Sequence, residues 1–565
     1  MSDRQPDDRA SAQTRDTATL AVGTLASRLL GFARDLLIAH VLGPAADAFV
    51  LAFRLPNFFR RLLAEGSLGM AHAAAEARVM AEHGSAAAQA FARSVRLRLF
   101  LLALPVCLLL LPSAPLIVFA LAPGAQSAIL ARSADLFRLC LPYLPLSLAA
   151  AIAFAHAANT GRFLPQAWAP ALFNIPLLLF AAAALVLRPD TGTAELLLCC
   201  GVICGGLAQA ALGLRCLGSA SVWRQTRKAS FCEGGLDSSV LPPEQKRSLT
   251  MYHAKLRCYL GPPEVRTLLK TLPANVLGAA PHQLHILAGM LLASFLAPGG
   301  ISALYFAERL VELPLGIAGA AVGIAALPRF SSLAAAEDRR GLAEALGSSI
   351  RMGAFLSFPA AAGLFALAHP LSALLFGHGA YMGEPVGVTA SALCGCAFGL
   401  PALCAARPLL AAASALRQEK APLQTALASM GPLVLVSAGG VFLSDDSQSA
   451  ALSVGLGLSA GAWCNAALLL RRVSAALREK DVGKDEAGEV MRSLWKSLGG
   501  CLGYLAAALV MTFGLSRAAG LAPDMGILAL PGLILAAVAL WFVVFLAFRN
   551  EDARALAALF RKKCG

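Results

Sequence analysis

The run Ser27-Arg28-Leu29-Leu30-Gly31-Phe32-Ala33-Arg34-Asp35 is followed by Asp47-Ala48-Phe49 and then by Arg54-Leu55-Pro56-Asn57-Phe58-Phe59-Arg60-Arg61. Together they place charge inside the first two long apolar segments of the chain. Putting one Arg or Asp at a bilayer centre costs about 2.5–3.5 kcal/mol on insertion scales. A chain that carries several needs a wet cavity or partners of opposite sign to hold them. Arg28 and Arg34 are six residues apart, within about 120° of each other around a helix axis. Arg61 and Glu65 stand one helical turn apart and can pair directly. Pro56 removes a backbone hydrogen bond and predicts a kink or break in the second segment. Irregular backbone at membrane depth is tolerated where it lines a cavity or is buried in protein.

Outward from this run, the 565 residues are 58% hydrophobic and only 14% charged, against about 25% charged in soluble domains. The excess comes in blocks of about 20 apolar residues, long enough to cross a hydrocarbon core of about 30 Å as a helix. Period-two alternation, which a barrel needs, is absent. The reading is an all-α polytopic membrane protein of about 14 spans. They are drawn at 17–43, 47–82 (broken), 94–122, 133–159, 163–188, 193–218, 270–297, 302–333, 343–376, 385–416, 421–444, 448–471, 493–516 and 524–549.

The net charge of +14 raises nucleic acid first. Its placement between apolar blocks reads instead as topology, with no nucleic-acid partner. One alternating set of loops is basic, among them Arg93, Arg96 and Arg98, Arg339 and Arg340, Arg417 and Lys420, Arg471 and Arg472, and the tail Arg561-Lys562-Lys563. The opposite set, such as 43–46, 298–300 and 445–449, is short and poor in Lys and Arg. Basic loops stay cytoplasmic, so both termini are read as cytoplasmic. Several of the 14 cysteines lie inside apolar runs, where Cys acts as a small hydrophobe. Cys232, His253 and Cys258 share a polar loop without convincing zinc spacing, and no metal site is expected.

The organisation read from composition is a cytoplasmic tail at 1–16, an N-lobe at 17–218, a polar linker at 219–266 and a C-lobe at 267–471. Two further spans with their basic loop occupy 472–549, and a basic tail occupies 550–565. Two bundles around a long linker suit rocking about a central site. The second lobe carries its own span charges in Tyr305-Phe306-Ala307-Glu308-Arg309-Leu310-Val311-Glu312-Leu313-Pro314, with Arg351 and Arg407 further on. Taken singly, Arg34, Asp35, Arg54, Arg60 and Arg61 also fit helix ends, where long side chains reach the headgroups. As a set, concentrated in spans one, two and eight, they fit a polar cavity. His282 and His285 read as pore-lining or hydrogen-bonded, and Asn174 with Pro176 as a kink. Because Arg28, Arg34, Arg60 and Arg309 outnumber the acids, the cavity is expected to be electropositive. Guanidinium forks bind phosphate or carboxylate through paired hydrogen bonds, so an anionic substrate follows, a pyrophosphate-bearing lipid above all.

At these residues the chain resembles the MurJ (MviN) lipid II flippases of bacteria. The matching stretches are Ser27 to Asp35, Asp47-Ala48-Phe49, Phe53 to Asn57, Arg60 to Gly66, and Tyr305 to Pro314 followed by Leu315-Gly316 and Leu327-Pro328. Pro142-Tyr143 and Arg417 to Pro422 fit more loosely. The resemblance runs from about residue 17 to 549. It implies a MOP-type transporter of two six-helix lobes plus two C-terminal helices lining a lipid-tail groove. It also implies translocation of an undecaprenyl-pyrophosphate-linked peptidoglycan precursor between leaflets of the inner membrane, with the peptidoglycan synthesis machinery as possible partner. Substrate-binding or gating residues carried over are Arg28, Arg34, Asp47, Arg60, Glu65 and Arg309, with Arg54, Arg61, Glu308, Glu312 and Arg407 secondary. The sodium site of some members uses carboxylates that 270–297 and 421–444 lack, leaving no cofactor and membrane potential as the drive. A MOP exporter of another isoprenoid-linked glycan is the alternative. A lipid-pyrophosphate enzyme is disfavoured, since no base, nucleophile or metal-binding carboxylates stand near the Arg cluster.

Overall fold

The computed structural model describes residues 6–59, 68–217, 281–418, 420–478, 484–521 and 529–547. All regular structure among them is helical. The first helices are α1 (Pro6–Leu42), a 3₁₀ turn (Gly43–Ala45), α2 (Ala46–Phe59), α3 (Leu68–Leu121), α4 (Ser127–Cys140), α5 (Tyr143–Asn159), α6 (Leu164–Leu187) and α7 (Thr191–Cys216). After the segment 218–280 come α8 (Pro281–Ala293), α9 (Gly300–Ala335), α10 (Arg339–Ala366), α11 (Ala368–Phe376), α12 (Glu384–Ala397) and α13 (Leu400–Ala415). The series ends with α14 (Ala421–Leu443), α15 (Ser447–Arg478), α16 (Lys484–Leu521) and α17 (Ala529–Ala547).

Among the described residues eight helices are long and apolar enough to cross a membrane, or ten if each of two bent pairs counts as one span. The bent pairs are α4 with α5, at 42°, and α12 with α13, at 45°. Each corresponds to a single span in the sequence reading. Their bends have a covalent cause, because Pro142 and Pro401 cannot donate to the preceding turn. Pro56, by contrast, sits within a helix that continues to Phe59. The long run of α3 is interrupted at Gly84, where φ is 83°, a backbone region that glycine enters without steric cost. α1 begins at Pro6, inside the segment read as a tail. The linker 219–266 and its cysteines lie outside the described residues.

The chain forms two compact units. The first comprises residues 1–37, 52–116 and 132–280; the second comprises 38–51, 117–131 and 281–565. In the first, Phe91, Val95 and Leu99 of α3 pack with Leu144, Leu148 and Ile152 of α5. In the second, Phe330 of α9, Leu342 and Leu346 of α10, Leu409 of α13, and Leu469 and Val473 of α15 share one core. A separate aromatic lock joins Phe355 of α10 to Tyr504 of α16 and to Trp541, Phe542 and Phe545 of α17. Large apolar side chains nonetheless stay exposed, among them Leu109, Leu116, Val186, Leu435 and Leu443. Exposed apolar area on this scale fits a hydrocarbon solvent and not water.

Candidate functional site

In the first unit the site is built on α1. Ser27 and Arg34 are two turns apart and share a face, with Gly31 between them. A side chain at Gly31 would stand 3.2 Å from the Asn174 amide, so the glycine lets α6 approach. Asn174 uses both ends of its amide. Nδ2 donates to the Ser27 carbonyl at 3.0 Å, and Oδ1 accepts from Arg34 Nη1 at 2.9 Å. Arg34 also donates from Nε and Nη2 to Asp35 Oδ1, at 2.9 and 2.7 Å. Its guanidinium lies 5.7 Å from the centre of the Phe53 ring, and Phe53 stacks on Phe173, the neighbour of Asn174. Arg34 is only 6% exposed and Asp35 fully buried. The pair therefore sits inside the protein. A buried pair of this kind is costly to break, about 3–5 kcal/mol when one partner is removed.

Arg28 is half-buried on the same helix and Arg54 is buried on α2. Arg60, Arg61 and Glu65 lie outside the described residues.

In the second unit, Asp47 meets the N-terminus of α9. Its Oδ2 accepts from the backbone N–H of Gly299 and its Oδ1 from that of Ser302, both at 2.7 Å. Gly299, at the start of α9, has no side chain to cap the helix. Asp47 supplies the cap from elsewhere in the chain, where a carboxylate also complements the helix dipole. This contact explains why residues 38–51 belong with the second unit. Two turns into α9, Arg309 pairs with Glu312 and lies 4.6 Å from the centre of the Tyr305 ring. Glu312 is one of the two carboxylates that flank it in sequence.

Beside this helix lies a partly open pocket, with Glu308, Glu312, His285, Cys396 and Ser459 among its lining residues. His285 shares a 2.8 Å hydrogen bond with Ser429 of α14, which agrees with the hydrogen-bonded reading of that residue. The cavity wall of this unit carries two carboxylates. Arg309 itself is folded against Glu312 and Tyr305. Arg407 on α13 and Arg351 on α10 are half-buried.

Sequence reasoning missed Asn174 as a partner of Arg34. Its neighbour Pro176 drew the kink reading, and only the packing of α6 on α1 shows where its amide points. It also missed a buried cluster of His72, Glu76 and His156 in the first unit. The one signal available was Glu76 itself, an acid one turn beyond His72.

This helical fold is similar to that of solved transporters of the MOP superfamily. A solved structure described as "Lipid II flippase MurJ, inward closed conformation" aligns with a TM-score of 0.69 at 18% identity, covering 95% of this chain and 99% of that one. An inward-facing multidrug resistance MATE transporter of the MOP superfamily aligns with a TM-score of 0.60 at 13% identity, over 82% and 100%. At such identities the likeness concerns the fold. The family follows from sequence. The family model described as "Lipid II flippase MurJ" matches residues 38–529. A Rhizobium meliloti protein named "Probable lipid II flippase MurJ" is 32% identical over 68% of this chain and 67% of its own. The "Lipid II flippase MurJ" of Burkholderia cenocepacia is 28% identical over 80% and 82%. The chain belongs to the MurJ family.

Proposed function

We propose that the protein is a lipid II flippase, a transporter and not an enzyme. It moves the undecaprenyl-pyrophosphate-linked peptidoglycan precursor from the cytoplasmic to the periplasmic leaflet of the bacterial inner membrane, by alternating access, for cell-wall synthesis. The observation that carries this reading is the family match across residues 38–529, which spans both compact units. The chemistry supports it. Arg28, Arg34 and Arg309 are the guanidinium groups suited to a diphosphate. In the state described, Arg34 and Arg309 are held by Asp35 and Glu312. Substrate oxyanions would compete with those carboxylates for the same donors, so binding and release are exchanges of partner. The exposed apolar faces of α16 and α17 suit a lipid tail, with Leu509, Phe513 and Leu540 each more than 60% exposed.

Membrane potential is the drive proposed, since the substrate headgroup is anionic. The basic loops favour cytoplasmic termini, and the peptidoglycan synthesis machinery is the partner proposed. The test is rescue of a bacterium depleted of its own flippase. The wild-type chain restores growth and lipid II translocation; Arg28→Ala and Arg309→Ala, at equal membrane abundance, do not. A wild-type chain that reaches the membrane and fails to rescue overturns the reading.

A further inference from the structure

Away from the arginines, the first unit buries three titratable side chains in contact. His72 and Glu76 stand one turn apart on α3, and both are fully buried. His156 and Asn159 stand on one face of α5, directed at them. Glu76 Oε1 is in close contact with His156 Nδ1. Its Oε2 accepts from Asn159 Nδ2 at 2.9 Å and lies 3.4 Å from His72 Nε2. The same Asn159 nitrogen donates to the Ala73 carbonyl at 3.0 Å. That backbone acceptor fixes which end of the amide faces the carboxylate. The Glu76 oxygen that accepts from Asn159 therefore carries no proton in this arrangement.

Charge counting then constrains the cluster. An ionised carboxylate with no exposure needs a neutralising charge beside it. Among the described residues of the neighbouring segments, several cations are exposed or bond elsewhere. Arg78 and Arg215 are exposed, as is the acid Glu82. Arg93 donates to the Leu217 carbonyl and Arg162 to that of Cys216. Among the described residues the two histidines are the basic groups in contact with the carboxylate, and imidazole is the side chain that gains or loses a proton near neutral pH. The contact between Glu76 Oε1 and His156 Nδ1 is the position for that proton. The His72 ring is stacked on Phe91, and neither of its ring nitrogens meets a hydrogen-bond partner among the described residues. Access is short, because His156 lies one turn before Thr160, Gly161 and Arg162, all exposed.

We propose that His72, Glu76 and His156 form a proton-binding site that holds one proton while α3 and α5 are packed together. Losing the proton leaves a buried, uncompensated carboxylate. The packed arrangement and the bound proton therefore stabilise each other, and any motion that hydrates the cluster releases the proton.

The test uses the full chain in detergent micelles and needs no substrate, so it is independent of the transport reading. Unfolding equilibria are followed from about pH 7.5 to about pH 9.5, above the range where free imidazole titrates. There both histidines of the unfolded chain are deprotonated while the cluster keeps its proton, so the folded state binds one more proton and stability falls as pH rises. Relative to Glu76→Gln, which keeps the shape and removes the acid, wild type should lose up to tenfold in its folding equilibrium constant per pH unit. The combined variant His72→Phe, Glu76→Leu, His156→Leu replaces the cluster with apolar side chains and serves if Glu76→Gln does not fold. Loss of the wild-type slope in either variant supports the site. A flat wild-type profile, or the same slope in wild type and variant, overturns it.

Discussion

Arg34 shows how a single residue keeps a full charge inside a membrane protein. Three of its nitrogens are spent on Asp35 and Asn174, and its face is spent on Phe53. Asn174→Ala should cost about 1–3 kcal/mol, since it leaves a buried guanidinium N–H without its acceptor. The check is a double-mutant cycle by thermal unfolding in detergent. In an Arg34→Leu background the cost of Asn174→Ala should fall sharply, and an undiminished cost there would detach the two residues. Asp47 acts on a different object, the exposed amides at the start of α9. Asp47→Ala should destabilise by about 0.5–2 kcal/mol, the usual worth of a helix cap. Asp47→Asn, which keeps an acceptor, should lose less, and equal losses would show that capping is not its role. The charges were legible as residues that must be held, because apolar surroundings make an unpaired charge expensive. Their partners were legible only where they are neighbours in sequence. Asp35 and Glu312 lie within one turn of their arginines, whereas Asn174 is 140 positions away from Arg34.

At the scale of the element, the helices are long because the bilayer sets their length, and the two bent pairs turn beside Pro142 and Pro401. Close packing then depends on small residues. A Cβ at Gly455 of α15 would stand 2.5 Å from the Ala392 carbonyl of α12, and one at Gly395 of α12 would stand 2.4 Å from the Leu452 carbonyl. Backbone cannot yield as a side-chain tip can, so Gly455→Leu should abolish stable folding of this helix pair. Gly439→Ala on α14 meets nothing within 4 Å and should be neutral or stabilising by up to about 1 kcal/mol. Size-exclusion homogeneity and thermal midpoints in detergent distinguish them; similar behaviour of the two variants would contradict the packing account. Small residues were visible in the sequence, but which of them face a neighbouring backbone depends on helix rotation. Periodicity alone leaves that rotation open when a helix is apolar on every side.

For the whole molecule, the alternation of basic and neutral loops makes a topological prediction. A fluorescent protein fused after Gly565 should fold in the cytoplasm, and a phosphatase inserted in the 445–449 loop should be active in the periplasm. The reverse pattern would overturn the orientation. The sequence by itself determined that the chain spans a membrane as helices, and its motifs marked the family. Both are properties of composition and local order, because lipid forces backbone groups to pair within each segment and punishes unheld charge. Only the tertiary structure decided the partners. Residues 38–51 join the second unit because Asp47 caps a helix that begins some 250 positions later. Arg34 is held from α6, and two histidines close on Glu76. Such contacts depend on the rotation and depth of whole helices against one another. Those are fixed by packing many weak contacts at once, which no local pattern encodes.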